Sequence, residues 1–101
     1  MPRYKLLIEY QGGPYQGWMK LPGKPTVQAA LEEAATKLDG QPVEVYGAGR
    51  TDSGVHALGQ VAHMDLQMDR PGKVADAMNF HLRPHPIAVL KAEKVADDFH
   101  A

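Results

Sequence analysis

With 101 residues and 44% hydrophobic content, the chain has enough apolar material for one small domain and a modest core, and too little for two. Eleven basic side chains stand against twelve acidic ones, so the formal net charge of -1 excludes the overall basic footprint of a general nucleic-acid binder; any RNA contact must come from a local patch. The absence of cysteine excludes disulfides and thiolate metal sites. No apolar run reaches membrane-spanning length, and the start Met1-Pro2-Arg3-Tyr4-Lys5 lacks a signal-peptide core, so the default location is cytoplasmic, with no membrane partner.

In chain order, Tyr4 to Tyr10 is rich in aliphatic and aromatic residues and reads as a strand ended by Gly12-Gly13-Pro14. Gln11 to Pro25 carries four glycines and three prolines and reads as a long irregular loop. Within it, Tyr15 and Trp18 either stack on bases or anchor the loop to the core. Thr26 is an N-cap candidate for a helix whose apolar positions Val27, Ala30, Leu31, Ala34, Ala35 and Leu38 follow the i, i+3, i+4 rhythm as far as Gly40. Glu32 and Glu33 are adjacent on that helix and face no common point, which predicts two solvated side chains rather than a paired-acid site.

Val43 to Tyr46 alternates as a strand, and Gln60 to Leu66 alternates again. Between them runs Gly47-Ala48-Gly49-Arg50-Thr51-Asp52-Ser53-Gly54-Val55-His56-Ala57. Pro71 opens a second helical pattern through Val74, Ala75, Ala77, Met78 and Leu82, broken by Pro84 and Pro86, and Ile87 to Ala92 is a fourth strand. The order β-α-β-β-α-β predicts an α+β, ferredoxin-like domain: a four-stranded antiparallel sheet with two helices on one face and the other face open to a ligand.

The glycine-rich loop is the strongest candidate site. Gly47, Gly49 and Gly54 permit positive φ or close approach to the backbone, and Thr51, Asp52 and Ser53 have side chains that bond turn amides. A carboxylate at Asp52, beside the Arg50 guanidinium and turn N-H groups, is expected to stay ionised, because opposite charge and donated hydrogen bonds favour the charged form. Dinucleotide binding is excluded: after Gly47 and Gly49 the third glycine of the fingerprint falls on Asp52, whose charge repels a pyrophosphate. His56, His63 and Asp65 make a poor metal set, since His63 and Asp65 read as ordinary surface residues of a strand. His81 and His85 have helical spacing interrupted by Pro84, which places them at a helix end.

The string G-A-G-R-T-D-S-G-V-H-A, followed by Leu58-Gly59-Gln60-Val61-Ala62-His63, resembles the signature of the TruA family of tRNA pseudouridine synthases. Tyr10-Gln11-Gly12 through Gly17-Trp18 is similar to the family's Y-D-G to G-W-Q segment, Thr26-Val27-Gln28 to its T-V-Q helix start, and Asn79 to Pro84 to its N-x-x-L-x-P. Gln11 and Met19 depart from the usual acid and glutamine. The final Phe99-His100-Ala101 is similar to the start of the family's F-H-A-R-F-S-A.

The resemblance implies a tRNA-modifying isomerase with Asp52 as catalytic nucleophile and no cofactor. Arg50 is implied to act in base flipping, with Thr51, His56 and Trp18 as further RNA contacts. It also implies that residues 1–101 are the aspartate-bearing N-terminal half, that the C-terminal half supplies a tyrosine and a basic residue to the site, and that the full-length protein is a homodimer acting on the anticodon stem-loop of tRNA. Two other readings fit the same topology: a non-catalytic RNA-binding module using the open sheet face, and a small-molecule-binding regulatory domain.

Overall fold

Along the first strand every second side chain is buried, and this alternation decides which face of the sheet receives the helices. The computed structural model describes residues 1–49, 54 and 56–101; Arg50, Thr51, Asp52, Ser53 and Val55 lie outside the described residues. The elements are β1 (Arg3–Tyr10), α1 (Val27–Asp39), β2 (Val45–Gly47), β3 (Ala57–Asp65), α2 (Pro71–Leu82) and β4 (Ile87–Val95). The sheet order is β2-β3-β1-β4, and every neighbouring pair is antiparallel. This is the expected ferredoxin-like β-α-β-β-α-β arrangement.

Tyr4, Leu6, Ile8 and Tyr10 point to one side of β1 and pack with Ala62 and Met64 of β3, Val27, Leu31 and Ala35 of α1, and Val74, Met78 and Leu82 of α2. Helix α1 is closed at its start by the Thr26 hydroxyl, which accepts from the Ala29 N-H; the Val27 and Gln28 N-H groups donate to the carbonyls of Gly17 and Trp18. The irregular segment after β1 is therefore bonded to the helix it precedes. Asp39, at the other end of α1, accepts from the Gln67 and Met68 N-H groups and holds the link between β3 and α2. Asn79 bonds both backbone groups of Val89, docking α2 on β4.

Two expected boundaries shift. β2 begins at Val45 rather than Val43, because the Val43 N-H donates to the Thr36 hydroxyl of α1 and is not available to a strand partner. β3 begins at Ala57, with a register irregularity opposite β1 between Ile8 and Tyr10.

The face away from the helices is not fully open. Arg3 and Asp65 pair across β1 and β3 at 2.8 Å, and Arg3 also donates to the carbonyl of Phe99 at 2.6 Å. His63, expected on the surface, is 2% exposed. Tyr46 stacks on it with ring centroids 5.0 Å apart, Phe99 meets it edge-on, and its Nδ1 accepts from the Ala101 N-H at 3.1 Å. The segment after β4 folds back across this face, a long-range contact that local alternation does not register.

This cover has a pH consequence. Burial, then the charges of Arg3 and His100, push the His63 imidazole below its ordinary 6.5, whereas the bond from Arg3 holds the Asp65 carboxyl below its ordinary 3.8. For both groups the unfolded chain takes up the proton first as pH falls. The His63 contribution to stability is thus complete above about pH 6.5 and lost as pH falls through the depressed folded value; the Asp65 contribution disappears only below about 3.8. Urea midpoints should fall between pH 7 and 5, and His63→Asn, which keeps an acceptor for Ala101 but does not titrate, should flatten that slope while leaving the more acidic one intact. An unchanged slope between pH 7 and 5 would contradict the burial argument.

Candidate functional site

Both arms of the glycine-rich loop are described, and each is held by a different part of the chain. The entry arm leaves β2, a three-residue strand at the edge of the sheet. Val45, its first residue, is gripped from helix α1: Gln28 Nε2 donates to its carbonyl at 2.8 Å, and Glu32 Oε2 accepts its N-H at 3.0 Å. Glu32 Oε1 also pairs with Lys20 at 2.8 Å, and Gln28 Oε1 accepts the Lys20 N-H. The expectation of a solvated Glu32 is therefore corrected: its side chain is 12% exposed and bonded on both oxygens. Glu33 behaves as expected, on the surface beside Lys37.

Beyond β2, the Ala48 N-H donates to the Val61 carbonyl at 2.8 Å, and the Gln60 side chain donates to the Gly49 carbonyl at 2.5 Å. Trp18 lies beneath this arm, 3% exposed and tilted against Tyr10. A Cβ on Gly47 would come within 2.7 Å of the indole ring, so the glycine is needed there for space. The ring is buried against the entry arm, as the anchoring alternative for Trp18 expects.

The exit arm is held by the segment after β1. The Gly54 N-H donates to the Tyr15 carbonyl at 3.2 Å, with Gly54 at φ +79°, a conformation open to glycine. The Gly12 N-H donates to Nδ1 of His56 at 2.8 Å. Tyr15 is buried, its hydroxyl 3.1 Å from Nδ1 of His85, and burial raises its phenol above the usual range. Against this arm lies an open cleft of about 440 Å³, lined by Glu9, Gln11, Ala57, Leu58, His85 and Ile87 among others. Leu58 is 86% exposed beside it.

Of the residues singled out in the sequence, the structure places Trp18 beneath the entry arm of the loop and His56 on its exit arm. Asp52, Arg50 and Thr51, expected at its tip, lie outside the described residues. Tyr4 and Tyr10 are core residues, and Tyr46 is the strand tyrosine that faces out, 44% exposed. Among the described residues, no group of three or more His, Asp or Glu side chains is placed to hold a metal ion, and no helix is long and apolar enough to cross a membrane. Sequence reasoning missed Gln28, Glu32 and Gln60. The signal for the first two was their i, i+4 spacing on one edge of α1, a polar pair beside an apolar stripe.

The contact between Gly47 and Trp18 is directly testable. Gly47→Ala forces either the buried indole or the β2 backbone to move, and such overpacking typically costs about 1–3 kcal/mol. Thermal denaturation should show a lowered Tm, and a Tm within error of wild type would contradict the close approach.

The comparisons with known proteins fall on this same frame. Residues 6–101 match the sequence model of the tRNA pseudouridine synthase family. The chain is 79% identical over its whole length to tRNA pseudouridine synthase A of Hyphomonas neptunium, covering 41% of that protein. It is 62% identical to the protein of the same name from Maricaulis maris, again covering 41%, and 63% identical to that from Rhodopseudomonas palustris strain HaA2, covering 42%. The chain thus spans about two fifths of the length of the curated relatives it matches. A family match over nearly every residue, together with these identities, leaves one assignment: this chain belongs to the tRNA pseudouridine synthase family.

Proposed function

We propose that this chain is the N-terminal, aspartate-bearing half of an enzyme that isomerises uridine to pseudouridine in the anticodon stem-loop of tRNA. The observation that carries the reading is the family match over residues 6–101, which includes the whole loop and both of its braces. In this isomerisation the N1 to C1′ bond breaks, the uracil turns, and C5 bonds to C1′; a proton leaves C5 and one is taken up at N1. The atoms balance without an oxidant or group donor.

Asp52 is the nucleophile in this reading. An ionised carboxylate attacks either C1′, as a retaining glycosidase nucleophile does, or C6 of the uracil ring. Arg50, two residues earlier, fills the space left by the extruded base or holds the flanking phosphate. The braces at Val45, Gly49, Gly54 and His56 support this assignment, since attack needs a fixed loop. The remainder of the full-length protein, a homodimer in this reading, closes the second wall of the cleft and excludes water.

The test is Asp52→Asn in the full-length protein. Asn keeps the shape and a hydrogen-bond acceptor but is neutral and a poor nucleophile, so pseudouridine formation, followed by nucleoside chromatography with mass spectrometry, should be abolished. Affinity for tRNA at one fixed salt concentration should hold or rise by no more than about 1 kcal/mol, because an anion has left a surface facing phosphate. Near-normal turnover would remove Asp52 from the chemistry, and a wild-type protein that binds tRNA without modifying it would favour a non-catalytic RNA-binding module. The 101-residue chain alone should show no turnover on tRNA; product formed by the purified chain would contradict the need for a second wall.

A further inference from the structure

His56 stands four residues after Asp52, at the point where the loop rejoins the sheet as β3. Its Nδ1 accepts the Gly12 N-H at 2.8 Å. An imidazole nitrogen that accepts from a backbone N-H carries no proton, so the ring is neutral with its proton on Nε2.

Gly12 belongs to a short turn closed by the Tyr15 N-H donating to the Gly12 carbonyl at 3.0 Å. The turn is tied to the start of β4 at two places: the Gln11 N-H donates to the Pro86 carbonyl at 3.0 Å, and the Tyr15 hydroxyl meets His85. It is tied to the loop at two more, through the Gly54 N-H on the Tyr15 carbonyl and through His56. Of these two links to the loop, the one at His56 depends on a side chain. The ring is exposed, so removing it opens no cavity in the core.

We infer that His56 is a positioning residue: in its neutral Nε2-H form it fastens the exit arm of the loop to the Gly12–Tyr15 turn, and the turnover proposed for this loop depends on that tie. This rests on the proposed function and deepens it, since it assigns His56 to holding the exit arm of the loop rather than to RNA affinity. Small displacements of a reacting group are costly in rate, and substrate binding by the rest of the cleft does not depend on this bond.

The experiment uses the full-length protein and three forms of position 56. Asn places Oδ1 where the imidazole has Nδ1, so His56→Asn keeps the acceptor and loses the rest of the ring; His56→Ala loses both. For His56→Ala, kcat for pseudouridine formation should fall roughly tenfold or more while KM for tRNA stays within about twofold. His56→Asn should recover most of kcat. Nitrogen NMR of the ¹⁵N-histidine-labelled wild type should show His56 with an unprotonated Nδ1 at neutral pH. A protonated Nδ1, a loss confined to KM, or His56→Asn no better than His56→Ala would overturn the positioning role, as would full activity in His56→Ala. A wild-type protein that makes no pseudouridine overturns the proposed function itself, and the positioning role falls with it.

Discussion

The bonds from helix α1 to Val45 are the constraint on which the arrangement around the loop depends. β2 is an edge strand of three residues, too short to hold its own place through pairing with β3 alone. Gln28 and Glu32 satisfy the Val45 carbonyl and N-H that face away from β3, so the helix supplies what a further strand would have supplied. From that fixed point the chain runs two residues to Gly47, over the Trp18 indole, and into the loop. Loss of either side chain leaves a partly buried backbone group without its partner, which typically costs about 1–3 kcal/mol. The cost would fall on the arm that leads to Asp52.

The polar side chains of the family-like motifs thus find physical work within this domain. Thr26 caps α1, Gln28 grips β2, and Asn79 docks α2 on β4. Glycines 47 and 54 admit a ring and a left-handed turn at the two arms. Each arm is braced by a segment distant in sequence: the entry arm by α1 and Gln60, the exit arm by the turn after β1 and, through it, by β4. Both arms are thus fixed to the rest of the domain by bonds that do not depend on sequence neighbours.

Much of the fold was legible because its signals are local. The Thr26 cap, the stripe from Val27 to Leu38 and the Gly40 stop define α1 within a residue, and Pro71 marks the start of α2. Apolar composition or alternation marked each of the four strands. What it could not show were contacts between residues far apart in the chain: the Thr36 hydroxyl that takes Val43 out of β2, the bonds that bury Glu32, and the segment from Phe99 to Ala101 that covers His63. The loop was legible as a candidate site from its glycines and its Arg-Asp pair, and the family from a resemblance that the match over residues 6–101 bears out. Its braces were not, since hydrogen bonds such as that from Gly12 to His56 link positions with no common periodicity.

The central claim is that a uridine in tRNA loses its C5 proton and gains a bond from C5 to C1′. Release of tritium to water from tRNA labelled as [5-³H]uridine reads that bond change directly. With the full-length protein the account predicts time-dependent release that matches the pseudouridine recovered from the same tRNA. Tight binding of the tRNA with no tritium released above the protein-free control would contradict it.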